Sequence, residues 1–230
     1  DTPAESPALV SLTEIEKAGR RARDLVRQIL TFSRNDPPKR SPIHLAEVVH
    51  ETMRLLKVTL PPTIDMQLVI HPGTPAVLAD ATQVEQAVLN LCTNAIQSIG
   101  KDRGTVVIEL GNPPLGARQV ERRGSSRGNH VRLAVKDSGA GIDPDTLRRI
   151  FEPFFTTKPV GEGTGLGLAV VHGIMRTHMG TVGVQSKLGK GSTFTLYFPP
   201  IDAPAVPIET DVKGNTDIQG QGKHVMYVDD

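Results

Sequence analysis

Apolar residues at Ile15, Ala18, Ala22, Leu25, Ile29 and Phe32 recur at steps of 3, 4, 3, 4 and 3. That spacing predicts an amphipathic helix with a coiled-coil-like seam. Arg20, Arg21, Arg23 and Arg27 fill other faces and leave only a narrow apolar stripe, so an interhelical seam is expected rather than a helix lying on its own domain. Ser11 with Glu14, and Thr13 with Glu16, have capping-box spacing at its start. The prolines of NDPPKRSP (35–42) end it and mark a hinge.

From 43 to 199 the periods alternate between helix and strand. HLAEVVHETMRLLKVTL predicts an amphipathic helix and TIDMQLVI a strand. DATQVEQAVLNLCTNAIQSI (80–99) predicts a helix with Asp80 as N-cap and Gln83 at the capping-box position. GTVVIEL and HVRLAVKD read as strands flanking a polar, Gly- and Arg-rich excursion at 111–129 that is long for a hairpin. DPDTLRRIF is a short helix capped by Asp143 with Pro144 at its first position. A glycine-rich loop then opens a helix running to about Thr177, and TVGVQS and STFTLYF close the pattern as a hairpin across KLGKG. The order α-β-α-β-β-α-loop-α-β-β places adjacent hairpins in one sheet, so the sheet is expected to be mixed, not all-parallel. Residues 200–222 are Pro/Gly/Asp-rich and aperiodic, as in a linker, and KHVMYVDD (223–230) reads as a new strand ending in two aspartates.

Bulk properties narrow the function classes. With 38% hydrophobic and 22% charged residues among 230, the chain has the composition of a soluble globular protein. A net charge of +1 gives no strong pull toward nucleic acid or anionic membrane, and 3% aromatics without tryptophan argue against base-stacking platforms. Cys92, the one cysteine, sits in an apolar run and reads as a small buried hydrophobe in a reducing compartment. No apolar stretch approaches the roughly 20 residues of a membrane span, and no signal peptide is visible. The first residue is not methionine, so a fragment of a longer, cytoplasmic chain is expected.

GEGTGLGLAVVHG (161–173) sets Gly161, Gly163, Gly165 and Gly167 at alternate positions before an apolar helix. A Walker A loop needs GxxxxGK[ST], which neither this stretch nor GKGS at 189–192 supplies. A dinucleotide fingerprint needs a preceding strand, whereas TTKPVGE reads as loop. The remaining choices are a ligand-free hinge, or a lid ending in glycines at a helix N-terminus, where free amides and the helix dipole face an anion.

Other stretches favour the second. Asn90 and Asn94 stand i, i+4 on one face of an otherwise apolar helix. Their carbonyl oxygens are hard ligands suited to Mg²⁺ that shares phosphate oxygens, a mutual hydrogen-bond or capping role being the plainer alternative. DSGAGI (137–142) ends a strand with a carboxylate able to accept from an exocyclic amine, and its glycines admit a flat ring; an ordinary turn is the alternative. FEPFFTTK (151–158) places three phenylalanines and Lys158 at the start of the lid.

In this order NLCTNA, DSGAGI, FEPFFTTK, GTGLGL and GKGSTF resemble the N, first glycine, F, second glycine and last glycine motifs of sensor histidine kinases. That ATP-binding fold is shared with type II topoisomerases, the ninety-kilodalton heat-shock chaperones and mismatch-repair clamp ATPases. The resemblance implies an α/β fold, a two-layer α/β sandwich of Bergerat type with a mixed sheet and an ATP lid, over 41–200. It implies that Asn94 and Asn90 hold Mg²⁺, that Asp137 binds the adenine amino group and that Gly139, Gly141 and Ile142 line the ring. Gly163, Thr164, Gly165, Leu166, Gly167 and Leu168 would meet the phosphates, Phe155 and Lys158 would steady the lid, and Ser192 and Thr193 of the last motif complete the ATP site. One departure stands out: many such kinases carry a basic residue three positions after the Mg²⁺ asparagine, where this chain has Gln97.

Hydrolysing relatives place a general-base glutamate one turn before that asparagine; here the position is Asn90, which cannot take a proton, and Glu85 lies too far back. Transfer to a protein nucleophile is therefore favoured over the two alternatives, a clamp-type ATPase and a non-catalytic nucleotide-sensing dimerisation module. RARDLVRQILTFSR resembles the second helix of a dimerisation and phosphoacceptor hairpin (1–40), and KHVMYVDD the first strand of a receiver domain with Asp229 and Asp230 as its acidic pair. A hybrid, homodimeric parent follows, with a receiver domain or response regulator as partner and neither nucleic acid nor membrane contact in this segment. His50 in HETMRL imitates the opening of the acceptor motif but lacks its proline, and reads as a surface residue; His172 and His178 read as packing or surface residues. The acceptor histidine is expected outside the 230 residues.

Overall fold

The computed structural model describes residues 11–12, 15–16, 19, 38–112, 130–159 and 163–201. Residues 11, 12, 15, 16 and 19 are helical, with Leu12 and Ile15 exposed. The rest of the predicted seam, the 113–129 excursion, the linker from 202 and the 223–230 strand lie outside the described residues.

Among the described residues from 38 onward there are twelve elements: β1 (Ser41–Ile43), which begins within the 35–42 stretch, α1 (Leu45–Thr59), β2 (Ile64–Ile70), β3 (Ala76–Ala79), α2 (Ala81–Ile99), β4 (Gly104–Gly111), β5 (Val131–Asp137), α3 (Pro144–Leu147), α4 (Gly167–Thr177), β6 (Thr181–Lys187), β7 (Gly191–Phe198) and β8 (Pro200–Ile201). The main sheet has the order β2-β4-β5-β7-β6. Only β2 and β4 run parallel, joined by the α2 crossover; the other pairs are antiparallel, and the sheet is mixed as expected. Alternation decides which face is covered. Val131, Leu133 and Val135 of β5 and Phe194, Leu196 and Phe198 of β7 point into one core with Val84, Val88, Leu91 and Ala95 of α2, Val171 and Met175 of α4, and Val49 and Met53 of α1.

A second, three-stranded sheet β1-β3-β8 was absent from the expected element order. Its strands are too short for a period of two to register. Ser41 pairs with Ala79, and Ala76 with Ile201, so the chain enters and leaves the sandwich on strands flanking β3.

The N-caps expected at Asp80 and Asp143 form, while those expected at Ser11 and Thr13 involve residues outside the described ones. Asp143 Oδ1 accepts from the amides of Asp145 and Thr146, and these bonds, those from Thr146 foremost, hold its carboxyl below the ordinary value. Asp80 Oδ1 accepts from Thr82 N (3.0 Å) and Gln83 N (3.2 Å) at the start of α2. Its other oxygen accepts from Lys39 N (2.9 Å), within the proline-rich 35–42 stretch. The Asp80 amide donates to Nε2 of His178 (2.9 Å), whose Nδ1 faces Ile174 O (2.8 Å). Accepting at Nε2 requires donating at Nδ1, which fixes the neutral Nδ1–H tautomer. His178, 1% exposed, is thus a packing residue, the first of the two readings expected for it, and it braces the end of α4 against the start of α2. Asp80→Ala is expected to cost about 1–2 kcal/mol, a drop of roughly 2–8 °C in Tm by thermal melt, while Asp80→Asn retains the cap. Equal melts for Ala and Asn would refute the capping role.

Candidate nucleotide site

The site lies where the C-terminal half of α2, the end of β5 and the start of α4 converge. Asn90 and Asn94 project from α2 toward α4. Asn90 donates through Nδ2 to the carbonyl of Gly167 (3.4 Å), which leaves its own carbonyl oxygen for another ligand. A Cβ on Gly167 would lie 3.7 Å from Asn94 Nδ2, so α4 begins directly against this pair. Leu166, the N-cap of α4, is buried and makes no side-chain cap, so the first-turn amides of α4 carry the positive end of its dipole without a capping oxygen. Glu85, roughly 140° around α2 from Asn90, instead faces α1: burial first, and the Glu51 carboxylate second, raise it above the ordinary glutamate value. It has no access to this site.

Asp137, 4% exposed at the end of β5, takes three donors on Oδ1: Gly139 N (2.8 Å), Ser98 Oγ (2.9 Å) and Ser192 N (3.3 Å). Among the described residues no donor reaches Oδ2. One oxygen anchors the carboxylate and the other remains an acceptor.

The loop after β5 is sewn on both sides. Ala140 N donates to Ser98 O (3.1 Å), Gly189 N to Ala140 O (2.7 Å) and Ile142 N to Ser186 Oγ (2.8 Å). Gly139 is required by close approach, since a Cβ there would fall 2.7 Å or less from the Ser98 backbone. Gly141 has φ +72 and a Cβ would meet the Lys187 carbonyl.

The lid is clasped at both ends. Phe154 N donates to Gly165 O (3.0 Å), and Gly165, with φ +68, leaves no room for a Cβ against the Phe154 backbone. Phe154 itself has φ 66 and is 65% exposed. Further along, Gly163 closes on Thr156 and Lys158, and Thr164 Oγ1 accepts from Leu166 N (3.4 Å). The Phe155 ring lies under the Arg149 guanidinium at 4.2 Å, a cation–π contact that braces the lid root. Lys158 Nζ donates to Gln97 Oε1 on α2.

The predicted residues are thus brought together, with two exceptions. Thr193 pairs with Lys136 and Gln185 on the sheet face opposite the helices, away from the Asn pair. Leu168 packs its side chain against the core, so only its backbone is at the α4 start. Ser192 acts through its amide, its hydroxyl being paired with Ser186 Oγ (2.9 Å). Ser98 was missed; it falls four residues after Asn94, on the same stripe, and that spacing was the available signal. His50 is exposed, as is His172, which stacks on Phe151 with ring centroids 5.5 Å apart. Cys92 is buried and its thiol is pushed up to about 12 by burial, so it is no nucleophile.

A mixed sheet carrying helices on one face, with an anchored carboxylate, paired asparagines and a glycine-clasped lid, defines a nucleotide-binding α/β sandwich. The family model for histidine kinase-, DNA gyrase B-, and HSP90-like ATPases matches residues 79–202. The chain is 34% identical over 235 residues to sensor kinase CckA of Brucella abortus, an alignment covering 99% of this chain and 25% of that protein. It is 43% identical over 136 residues to sensor histidine kinase ZraS of Escherichia coli, covering 59% of this chain and 26% of that protein. Full-length ShkA, solved in complex with AMPPNP, superposes with a TM-score of 0.69 at 26% identity, over 90% of this chain and 42% of its own. The catalytic domain of histidine kinase ThkA gives 0.57 at 27% identity, over 70% of this chain and 98% of its own. The chain belongs to this ATPase family, and it contains an ATP-binding catalytic domain of the sensor histidine kinase type. It spans about a quarter of the length of these two curated relatives.

Proposed function

We propose that the domain binds Mg-ATP between α2 and the lid and presents the γ-phosphate to a histidine on another segment. The observation that carries this reading is Asp137, with one oxygen held by three donors and the other open beside two glycines that keep side chains out. Adenine would donate its exocyclic amine to Oδ2 and lie against Gly139, Gly141 and Ile142. The phosphates would meet the backbone amides from Gly163 to Leu168 at the α4 dipole.

The donor chemistry fits a divalent cation that arrives with the nucleotide. Among the described residues no group of three or more His, Cys, Asp or Glu could hold a metal, whereas Asn90 and Asn94 offer two hard carbonyl oxygens. They would hold Mg²⁺, which would supply charge neutralisation to the phosphates. The protein's share is positioning: the bond from the β–γ bridging oxygen to phosphorus breaks, a phosphorus–nitrogen bond forms on the acceptor imidazole, and ADP leaves. No carboxylate stands where Asn90 does, so water has no general base there.

The sensor kinase relatives and the tail's likeness to a receiver strand support a response regulator or receiver domain as the onward partner, a hybrid homodimeric parent, and a cytoplasmic ATP site. Among the described residues no helix is long and apolar enough to cross a membrane.

The test uses the 230-residue chain with γ-labelled ATP, alone and with a separately made hairpin bearing the acceptor histidine. Acid-labile label on the hairpin, and none on the chain's own seven histidines, is the expected result. Robust self-labelling would overturn the external acceptor. Steady phosphate release without transfer would mark a clamp-type ATPase.

A further inference from the structure

Three donors converge on Asp137 Oδ1, and they come from three different elements. Gly139 N belongs to the loop after β5, Ser192 N to β7 and Ser98 Oγ to the last turn of α2. Two of them are backbone amides, which almost any residue would supply. The third exists only because residue 98 carries a hydroxyl. That hydroxyl has one proton and two acceptors within reach, Ala95 O (3.1 Å) and Asp137 Oδ1 (2.9 Å). Ala95 O already lies in the hydrogen-bond ladder of α2, whereas the carboxylate oxygen is anionic and nearer, so the proton goes to Asp137. The main chain of Ser98 adds a second tie. Its carbonyl accepts from Ala140 N (3.1 Å), and Gly139 packs against it too closely for any Cβ. Ser98 thus brackets the carboxylate and its loop against the helix that carries Asn94, one turn earlier.

We infer that Ser98 is a positioning residue that sets the site's preference for a 6-aminopurine. This deepens the nucleotide-site reading and rests on it. The terminal torsion of an aspartate is broad, so Oδ2 is aimed only as firmly as Oδ1 is held. The two amides hold Oδ1 from the loop and from β7, and Ser98 closes the remaining side, toward α2. With the hydroxyl in place, Oδ2 meets an exocyclic amine at one fixed point. Without it the carboxylate tilts and that bond is weakened, while the ring still lies against Gly139, Gly141 and Ile142. The loss therefore falls on the amine and not on the nucleotide as a whole. Asn94 and Ser98 also share one stripe of α2 at i, i+4, so a single helical turn sets the spacing between the metal-facing and base-facing ends of the site.

The experiment is a calorimetric titration of wild type and Ser98→Ala with Mg-ATP and with the Mg complex of purine riboside triphosphate, which carries hydrogen where adenine has its amine. Wild type is expected to prefer ATP by roughly tenfold or more, the scale of one charge-assisted bond. In Ser98→Ala that preference is expected to narrow by about fivefold through weaker ATP binding, with purine riboside triphosphate within about twofold of wild type. An unchanged preference in Ser98→Ala overturns the inference. So does an equal loss for both ligands, which would make Ser98 a packing residue of the loop. Wild type with no preference between the two would instead remove Asp137 from base recognition, and wild type that binds neither would sink the nucleotide-site reading itself.

Discussion

Asp137→Asn is expected to raise the Kd for Mg-ATP by on the order of a hundredfold while shifting Tm by no more than about 4 °C. The two effects separate because the two oxygens do different work. Oδ1 takes Gly139 N, Ser98 Oγ and Ser192 N, and an asparagine placed with its carbonyl there still accepts all three. The amide nitrogen then stands at Oδ2, where it meets the adenine amine donor to donor. One charge-assisted hydrogen bond is lost and a buried polar group is left unpaired, together about 2–4 kcal/mol. Guanine presents a carbonyl at the same ring position, so the variant amide can donate to it. GTP should consequently gain on ATP, and the preference between the two should narrow in competition titrations. An Asp137→Asn protein with wild-type ATP affinity would remove the carboxylate from the site.

What was readable in the chain, and what was not, divides by how far apart the partners lie. Asn90 and Asn94 announce themselves because two poor helix formers interrupt an apolar stripe at i, i+4, and Asp137 because a carboxylate ends an alternating strand. These are local signals. The partners that make them a site are remote: Ser98 meets Asp137 across 39 residues, Lys158 meets Gln97 across 61 and His178 meets Asp80 across 98. Pairs of polar groups leave no periodic trace, so none of the three could be paired beforehand. Gln97 is the instructive case. Along the chain it looks like a missing charge; in the fold it lies under the ammonium of Lys158, and the lid has brought a charge to it. Thr193 shows the opposite error. Its motif pointed to the site, yet Phe194, Leu196 and Phe198 set the inward face of β7 and leave Thr193 on the outward one. Alternation within the strand was the better guide.

Gly165→Ala is expected to weaken Mg-AMPPNP on the order of thirtyfold while adenosine stays within about threefold. Gly165 sits at φ +68, where an L side chain costs roughly 1–2 kcal/mol. Its new Cβ would also lie within 2.7 Å of Phe154 Cα, C and O, backbone atoms that cannot swing aside like a flexible side-chain end. Phe154 is itself held at φ 66, so both halves of the clasp are already in the left-handed region, and relief must come from parting them. That breaks the 3.0 Å bond from Phe154 N to Gly165 O and frees the segment between. Lys158 and the amides leading into α4 lose their placement, whereas Asp137 and its glycines, sewn to α2 and the β6–β7 turn, do not. Phosphate affinity therefore falls and adenine recognition survives. Phosphoryl transfer should fall further than binding, because it depends on alignment as well as affinity. Gly173→Ala on α4 is the matched control, since a Cβ there meets nothing within 4 Å. In a helix interior that change should stabilise by about 0.5–1 kcal/mol and leave both ligands alone. If Gly165→Ala binds AMPPNP as wild type does, the clasp does not position the lid, and the glycine at 165 has only a turn to explain it.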